Sequence, residues 1–360
     1  MIAFARSRST AALTVALLCG CGDDGSGAGG DAAGGPPVGG SEGNGANDPG
    51  GGAPGGASAG GAGTGGEGGG VAPSGTPIFV AVGYGGRRMS SLDGVTWEND
   101  IVVDPNGGDD NNLFRGLGYA NGLFVAVGGS SEGQIFTSTN GADWTAQTPG
   151  SSWIGDVVFV DGAFIAAGGN GLRQRSSDQA VTWTNQAPYY AGHFRGIAAG
   201  GGIAVAAGHT YNTDPFVGLV SVTTDAGLTW SEPLTGGPAY GSIAFGAGVF
   251  VAAGDGGCRS SSDGVDWTDC GIGGGLGRVV FANGEFLIPD DAGYHHSADG
   301  ATWSHVDGPS KGIQTFGLGQ YLATSWPDRI ESSTDLQTYT IVNQDTGPAI
   351  VQIELGYIDR

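Results

Sequence analysis

Short runs of β-branched and aromatic residues that end in small ones recur along the chain: Phe79-Val80-Ala81-Val82-Gly83, Phe124-Val125-Ala126-Val127-Gly128, Phe164-Ile165-Ala166-Ala167-Gly168 and Phe250-Val251-Ala252-Ala253-Gly254. Each is apolar throughout, too short for a helix and bounded by turn formers, which predicts a strand buried on both faces. Another short strand and turn precede it, as in Gly116–Gly122 or Val157–Gly162. Downstream comes a polar segment running from Ser or Thr to an aromatic residue: Ser91–Trp97, Ser138–Trp144, Ser176–Trp183, Thr223–Trp230, Ser261–Trp267, Ser297–Trp303 and Ser333–Tyr339. In these segments an Asp or Asn side chain can accept backbone N–H groups, glycine supplies a positive φ, and the following Thr-Trp starts a strand with a large apolar payload. Four strands per unit of about 40 residues, with no helical period, predict the antiparallel blade of a β-propeller.

The ends of the chain predict how the ring closes. The first unit opens directly on its second strand, Ile78-Phe79-Val80, with no first strand before it. Ile350–Tyr357 resembles the missing piece, its Leu355-Gly356-Tyr357 echoing Leu117-Gly118-Tyr119. A first strand supplied from the C-terminus leaves no exposed sheet edge. The expected fold class is therefore all-β, a seven-bladed propeller of four-stranded antiparallel blades over residues 77–360.

The seven turn segments resemble the Asp-box, or BNR, repeat, whose pattern is Ser/Thr-x-Asp-(x)-Gly-x-Thr-Trp. Thr223-Thr224-Asp225-Ala226-Gly227-Leu228-Thr229-Trp230 fits it throughout; Asn140 replaces aspartate in blade two, Ala180 replaces glycine in blade three, and the last segment has Gln337 and Tyr339. In that family the boxes lie on the turn between third and fourth strands, away from the ligand face. The resemblance thus implies structural work for Asp93, Asn140, Asp178, Asp225, Asp263, Asp299 and Asp335. Its sialidase-like superfamily includes sialidases and some glucanases, and also photosystem II assembly-factor-like propellers, which act by protein binding.

Ahead of the repeats the chain changes character. Arg6 and Arg8 precede the apolar run Ala11–Leu18, which has the charge and length of a secretory signal peptide and is too short to span a bilayer. It ends in Leu18-Cys19-Gly20-Cys21, which resembles the lipobox of bacterial lipoproteins. That resemblance implies cleavage after residue 20 and acylation of Cys21. Residues 21–76 follow as a tether: 25 of the 54 residues from Gly22 to Gly75 are glycine, with no aromatic, Leu, Ile or Met among them. Such a segment cannot bury enough apolar area to offset its ordering entropy and is expected to be disordered. The reading is a monomeric propeller held in the bacterial cell envelope by lipid, on the periplasmic side of the outer membrane or at the cell surface.

Charge excludes one class of partner. The net charge is −22, and the whole chain has a single lysine, Lys311. Without a basic stripe it lacks the phosphate-neutralising surface that nucleic-acid binding needs. Cysteine use agrees with export. Cys258 and Cys270 lie six residues on either side of Gly264, so a hairpin there would place them opposite one another, and a disulfide is expected. No other Cys or His pair stands at ligand spacing to them, so no zinc site, and no cofactor, is expected.

Departures from the repeat mark the candidate ligand face. Intervals between successive box aromatics are 47, 39, 47, 37, 36 and 36 residues, so two units carry insertions. One is Asp104–Asn112, whose many side-chain oxygens would suit calcium, though no calcium-loop spacing is present. The other interval holds Tyr189, Tyr190 and His193, and then His209 to Phe216 with Tyr211. Such loops usually carry propeller function, and aromatics with amides suit a sugar or a peptide. Arg115 and Arg195 occupy equivalent positions in Phe-Arg-Gly, with Arg278 one place later in blade six; these guanidiniums either point into the channel mouth toward an anion or pair with Asp156 and Glu354.

Two functions remain: a non-catalytic module binding a glycan, peptide or envelope protein, or a glycoside hydrolase. The sialidase likeness is poor, because Phe114-Arg115-Gly116-Leu117 lacks the family's Phe-Arg-Ile-Pro and follows the first box. By loop position, the carboxylates available to a hydrolase are Asp104, Asp109, Asp110, Asp156, Asp214, Asp290 and Asp291.

Overall fold

The computed structural model describes residues 74–106, 110–148, 152–186, 191–325, 328–344 and 347–359. The signal segment, Cys21 and most of the glycine-rich stretch lie outside them, as do Asp109, Tyr189 and Tyr190. Within the described residues the strands form seven four-stranded antiparallel sheets. Six run from first to fourth strand in chain order, their first strands being Phe114–Ala120, Ile154–Val160, Gly192–Gly200, Ala239–Gly246, Val280–Ala282 and Gly312–Gly317. Blade one is composite. Ile350–Ile358 pairs with Thr76–Gly83, which is followed by Arg88–Ser91 and Glu98–Ile101. The closing pair runs in register from Thr76↔Ile358 to Val82↔Gln352.

The apolar runs form the second strands, and their alternation explains the ring. In blade one, Ile78, Val80 and Val82 turn toward Phe114, Leu117 and Phe124 of blade two. Phe79 and Ala81 turn the other way, toward Leu322 and Ile330 of blade seven. A strand in the middle of a ring of sheets has two dry faces, so it is apolar at every position. Seven such clusters fill the seven interfaces between neighbouring blades.

The repeated turns have one hydrogen-bonding scheme. In blade one the Asp93 carboxylate accepts the N–H groups of Val95 and Thr96 at 2.8 and 2.7 Å, while Ser91 Oγ accepts that of Gly94 at 2.9 Å. Asn140 accepts from Ala142 and Asp143 at 2.9 and 2.8 Å, so an amide oxygen serves as well as a carboxylate. Positive φ is supplied by Gly94, Gly141, Gly264 and Gly300, and by Ala180 and Leu336 where glycine is missing. The tryptophan does not begin the fourth strand, as the sequence pattern predicts. It stays in the turn, where the indole N–H of Trp183 and Trp267 donates to the carbonyl three residues back, at 3.0 and 2.9 Å. The fourth strands start beyond it and are as short as Thr184–Asn185.

Cys258 and Cys270 form a disulfide with a Cα separation of 5.5 Å. It ties the third strand of blade five to the end of the fourth, where the Cys270 N–H also donates to the Cys258 carbonyl at 3.1 Å.

Candidate functional site

In an antiparallel meander successive turns leave at alternate ends. The repeated Asp turns therefore share one face with the first-to-second strand turns. Second-to-third strand loops and blade linkers share the other, and the sequence-named aromatics and arginines lie there.

Trp153 is the centre of this cluster. It enters blade three directly before Ile154–Val160, and its ring is half-buried. Arg115 comes from blade two with its Cζ 5.2 Å from the indole centroid, and Arg195 from blade four at 5.0 Å. The strand register shows how both reach it: pairing slips between Phe114 and Gly116 and between Phe194 and Gly196, so each arginine is the extra residue of a β-bulge. A bulge re-aims one side chain out of the alternation, here toward the neighbouring blade. Each guanidinium–indole contact stabilises the arrangement by about 0.5–2 kcal/mol. Gly169 completes the seat, since a Cβ there would come within 2.5 Å of Trp153 Nε1.

Around this core the insertion of blade four adds a second layer. His193 lies 5.3 Å from Trp153 and 4.8 Å from Tyr211, centroid to centroid. His209 stacks on Phe216 at 4.9 Å, and Phe216 is 45% exposed although it is a large apolar ring. Protons are assigned by the neighbours. His193 Nδ1 accepts the Asn170 N–H at 3.0 Å. His209 Nδ1 donates to the Thr210 carbonyl at 2.9 Å, which leaves its Nε2 to accept from Arg195 Nε at 3.2 Å. Arg115 is also steadied by Asp110, at 3.2 Å, and by the Gly129 carbonyl at 3.3 Å.

The three arginines of the sequence reading thus separate. Arg115 and Arg195 stay on the loop face beside Trp153. Arg278 alone reaches into the channel, with Nη2 3.8 Å from Asp156 and Nη1 3.2 Å from Gln352 Oε1. Of the carboxylate pairings the sequence allows the three arginines, Arg278 makes the one with Asp156, and Arg115 pairs with Asp110. Burial pushes the Asp156 carboxyl up to about 6, with Arg278 opposing the shift. Burial raises Glu354 well above its ordinary value in the same way.

In the acidic insertion Asp104 accepts the Asn106 N–H at 3.0 Å, Asp110 holds Arg115, and Asn111 Oδ1 accepts from the Ser130 hydroxyl. Its described oxygens that make these bonds serve the loop and the arginine. Trp153 is the participant that sequence reasoning misses. Its one mark there is being a tryptophan outside the repeated turns.

No family model matches the sequence, and neither does any curated protein. Among solved structures, a functionally unknown protein from Desulfotomaculum acetoxidans DSM 771 aligns with a TM-score of 0.59 at 14% identity, covering 78% of this chain and 99% of that one. YCF48 bound to a D1 peptide aligns with a TM-score of 0.49 at 18% identity, covering 78% and 88%. YCF48 from Cyanidioschyzon merolae gives 0.48 at 15%, covering 68% and 87%. At such identities what this chain shares with the Desulfotomaculum protein is the propeller fold.

Proposed function

We propose that the protein is an exported, non-catalytic Asp-box propeller, anchored in the bacterial cell envelope by lipid on Cys21, which binds a carboxylate-bearing polypeptide segment on its loop face. One observation carries the binding role: two guanidiniums flank one indole, and His193, His209, Tyr211 and the exposed Phe216 surround them on the insertion of blade four. Such a surface offers a carboxylate charged donors and offers an apolar side chain a flat ring. Over the whole chain 35 acidic residues outnumber 13 basic ones, so the two guanidiniums are a local basic feature of an acidic protein.

A glycosidase has weaker support. Cleavage needs two carboxyl groups facing each other across an open cleft. Asp156 is buried against Arg278, Asp104 is engaged within its loop and Asp110 with Arg115, and a cleft of about 350 Å³ on blade two is lined by one carboxylate, Glu132. A neutral glycan is the second reading, favoured by the exposed ring of Phe216.

The test uses a Cys21→Ser chain, which cannot be acylated, presented to acidic, neutral and basic peptide arrays, a glycan array and fluorogenic glycosides. Acidic peptides should bind, and Trp153→Ala or Arg195→Gln should weaken binding about tenfold, the effect of losing one anchor at a binding surface. Binding to glycans alone would move the assignment to the second reading. Glycoside turnover abolished by a single Asp→Asn change would overturn both.

A further inference from the structure

Three ligand-type side chains far from the Trp153 cluster in sequence meet on one face of blade six. Asp290 ends the second strand, Glu285–Asp290; His295 lies in the third, Gly293–Ser297; His305 lies in the fourth, Ser304–Asp307. The register brings them together. His295 faces Ile288 on one side and His305 on the other, and Asp290 follows Ile288 by one full pleat. Residues two apart on a strand project the same way, so all three groups stand on the face that Phe286 and Ile288 turn toward Cys258 and Cys270 of blade five.

Their atoms converge. Asp290 Oδ2 lies 3.1 Å from His295 Nε2 and 3.1 Å from His305 Nε2. The three ligand atoms are all within 4.8 Å of one another, and the imidazole centroids are 4.7 Å apart. A tetrahedral ion with bonds of about 2.0–2.2 Å holds its ligand atoms roughly 3.3–3.6 Å apart, so small side-chain rotations suffice to admit one. The side chains are 20%, 15% and 28% exposed, which leaves a path from solvent.

A second feature points the same way. His305 Nδ1 lies 3.2 Å from the Asp307 carboxylate, which is two residues along the same strand. An Nδ1–H held by a carboxylate fixes the tautomer in which the Nε2 lone pair is available, and it makes that nitrogen more basic. Asp290 is itself oriented by the Ala292 N–H at 2.9 Å. Two imidazoles and one carboxylate, with a carboxylate behind one imidazole, form a donor set for borderline first-row ions; calcium and magnesium prefer oxygen alone.

We propose that Asp290, His295 and His305 bind one divalent transition-metal ion, with zinc the best fit, through the carboxylate and the two Nε2 atoms, leaving a fourth position to water. The bound ion joins the second, third and fourth strands of blade six at the rim of the loop face. Asp307 acts as a positioning residue for His305.

The full chain, stripped with chelator and dialysed, is titrated with Zn²⁺ by calorimetry and with Co²⁺ by visible absorption. One ion per chain is expected, with an intense tetrahedral ligand-field band for Co²⁺. Affinity should fall at least tenfold in Asp290→Asn, His295→Gln and His305→Gln, and about tenfold in Asp307→Asn, in line with outer-shell partners elsewhere. His296→Gln should bind normally, because His296 faces Glu285 instead, at 3.4 Å. Absence of stoichiometric binding to the wild-type chain would overturn the proposal whatever the variants do, as would unchanged affinity in a folded His295→Gln, His305→Gln double variant. The wild-type Co²⁺ spectrum decides the case if a variant fails to fold.

Discussion

Leu355, near the end of the chain, lies directly opposite Phe79, near the start of the folded region, in the one sheet built from both termini. The pair closes the ring, and the strand carrying Leu355 also fills the interface with blade seven through Ile350 and Ile353. Ile353 is fully buried, so Ile353→Ala should cost about 2–5 kcal/mol, the range for deleting most of a buried aliphatic side chain. Urea unfolding followed by tryptophan fluorescence measures this. Removing residues 350–360 altogether should leave a chain that aggregates, with a synthetic 350–358 peptide restoring the native spectrum. A truncated chain as stable as the parent would show that the ring does not depend on this strand.

The repeated turns separate chemistry from charge. In blade two the Asn140 amide oxygen accepts two N–H groups of its turn, and in blade four the Asp225 carboxylate takes the Thr229 N–H and hydroxyl at 2.8 and 2.6 Å. Asp225→Asn keeps an acceptor for the Thr229 N–H but not for its hydroxyl, so it should lower the melting temperature less than Asp225→Ala does. Asp225→Ala, which leaves the Thr229 N–H without its acceptor, should lower it by about 2–4 °C, the response of a domain of this size class to roughly 1 kcal/mol. Differential scanning calorimetry of the two variants distinguishes them, and equal losses would show that the charge matters more than the acceptor.

What the sequence made legible was whatever repeats. The apolar runs, the seven turns and the echo of Leu117-Gly118-Tyr119 in Leu355-Gly356-Tyr357 each recur, so their strands, number and closure follow from pattern alone. The grouping of His193, His209 and Tyr211 was partly legible because an insertion interrupts the spacing. Trp153 was not, because its partners come from blades on either side and arrive through bulges that no local pattern announces. Nor was the meeting of His295 with His305. Ten residues separate them in the chain, and only the hairpin register places one opposite the other. Arg278 differs from Arg115 and Arg195 because it lies ahead of the first strand of its blade, Val280–Ala282, whereas they sit in bulges within theirs.

The Cys258–Cys270 bridge closes a short loop around one of the repeated turns. For a loop of this size the constraint on the unfolded chain stabilises the fold by about 3 kcal/mol. A reducing agent should accordingly lower the urea midpoint of the parent. The Cys258→Ala, Cys270→Ala double variant should start from the lower midpoint and show no response to reductant. A parent midpoint indifferent to reductant would mean that the bridge contributes nothing to folding, or does not form in the isolated protein.

Stability should pass through a maximum in mildly acidic solution, because two sets of carboxyls shift in opposite directions. Hydrogen bonds from Thr182 and from the Thr302 and Ala301 N–H groups hold Asp178 and Asp299 down at about 2. Their unfolded value is about 3.9, so the stability they contribute is present above that value and is lost as pH falls through the folded one. Asp156 behaves in the reverse sense. Burial raises it to about 6, so its contribution is complete below about pH 4 and is lost as pH rises through 6. Asp156→Asn should flatten the fall between about pH 4 and 6 while leaving the acid limb unchanged, as read from urea midpoints across the range. Glu354, also buried and with Oε2 lacking a hydrogen-bond partner, is raised well above its ordinary value by burial, in the same sense as Asp156. Glu354→Gln should flatten the same limb of the profile, and a variant whose profile matches the parent's would show that this carboxyl takes no part in it.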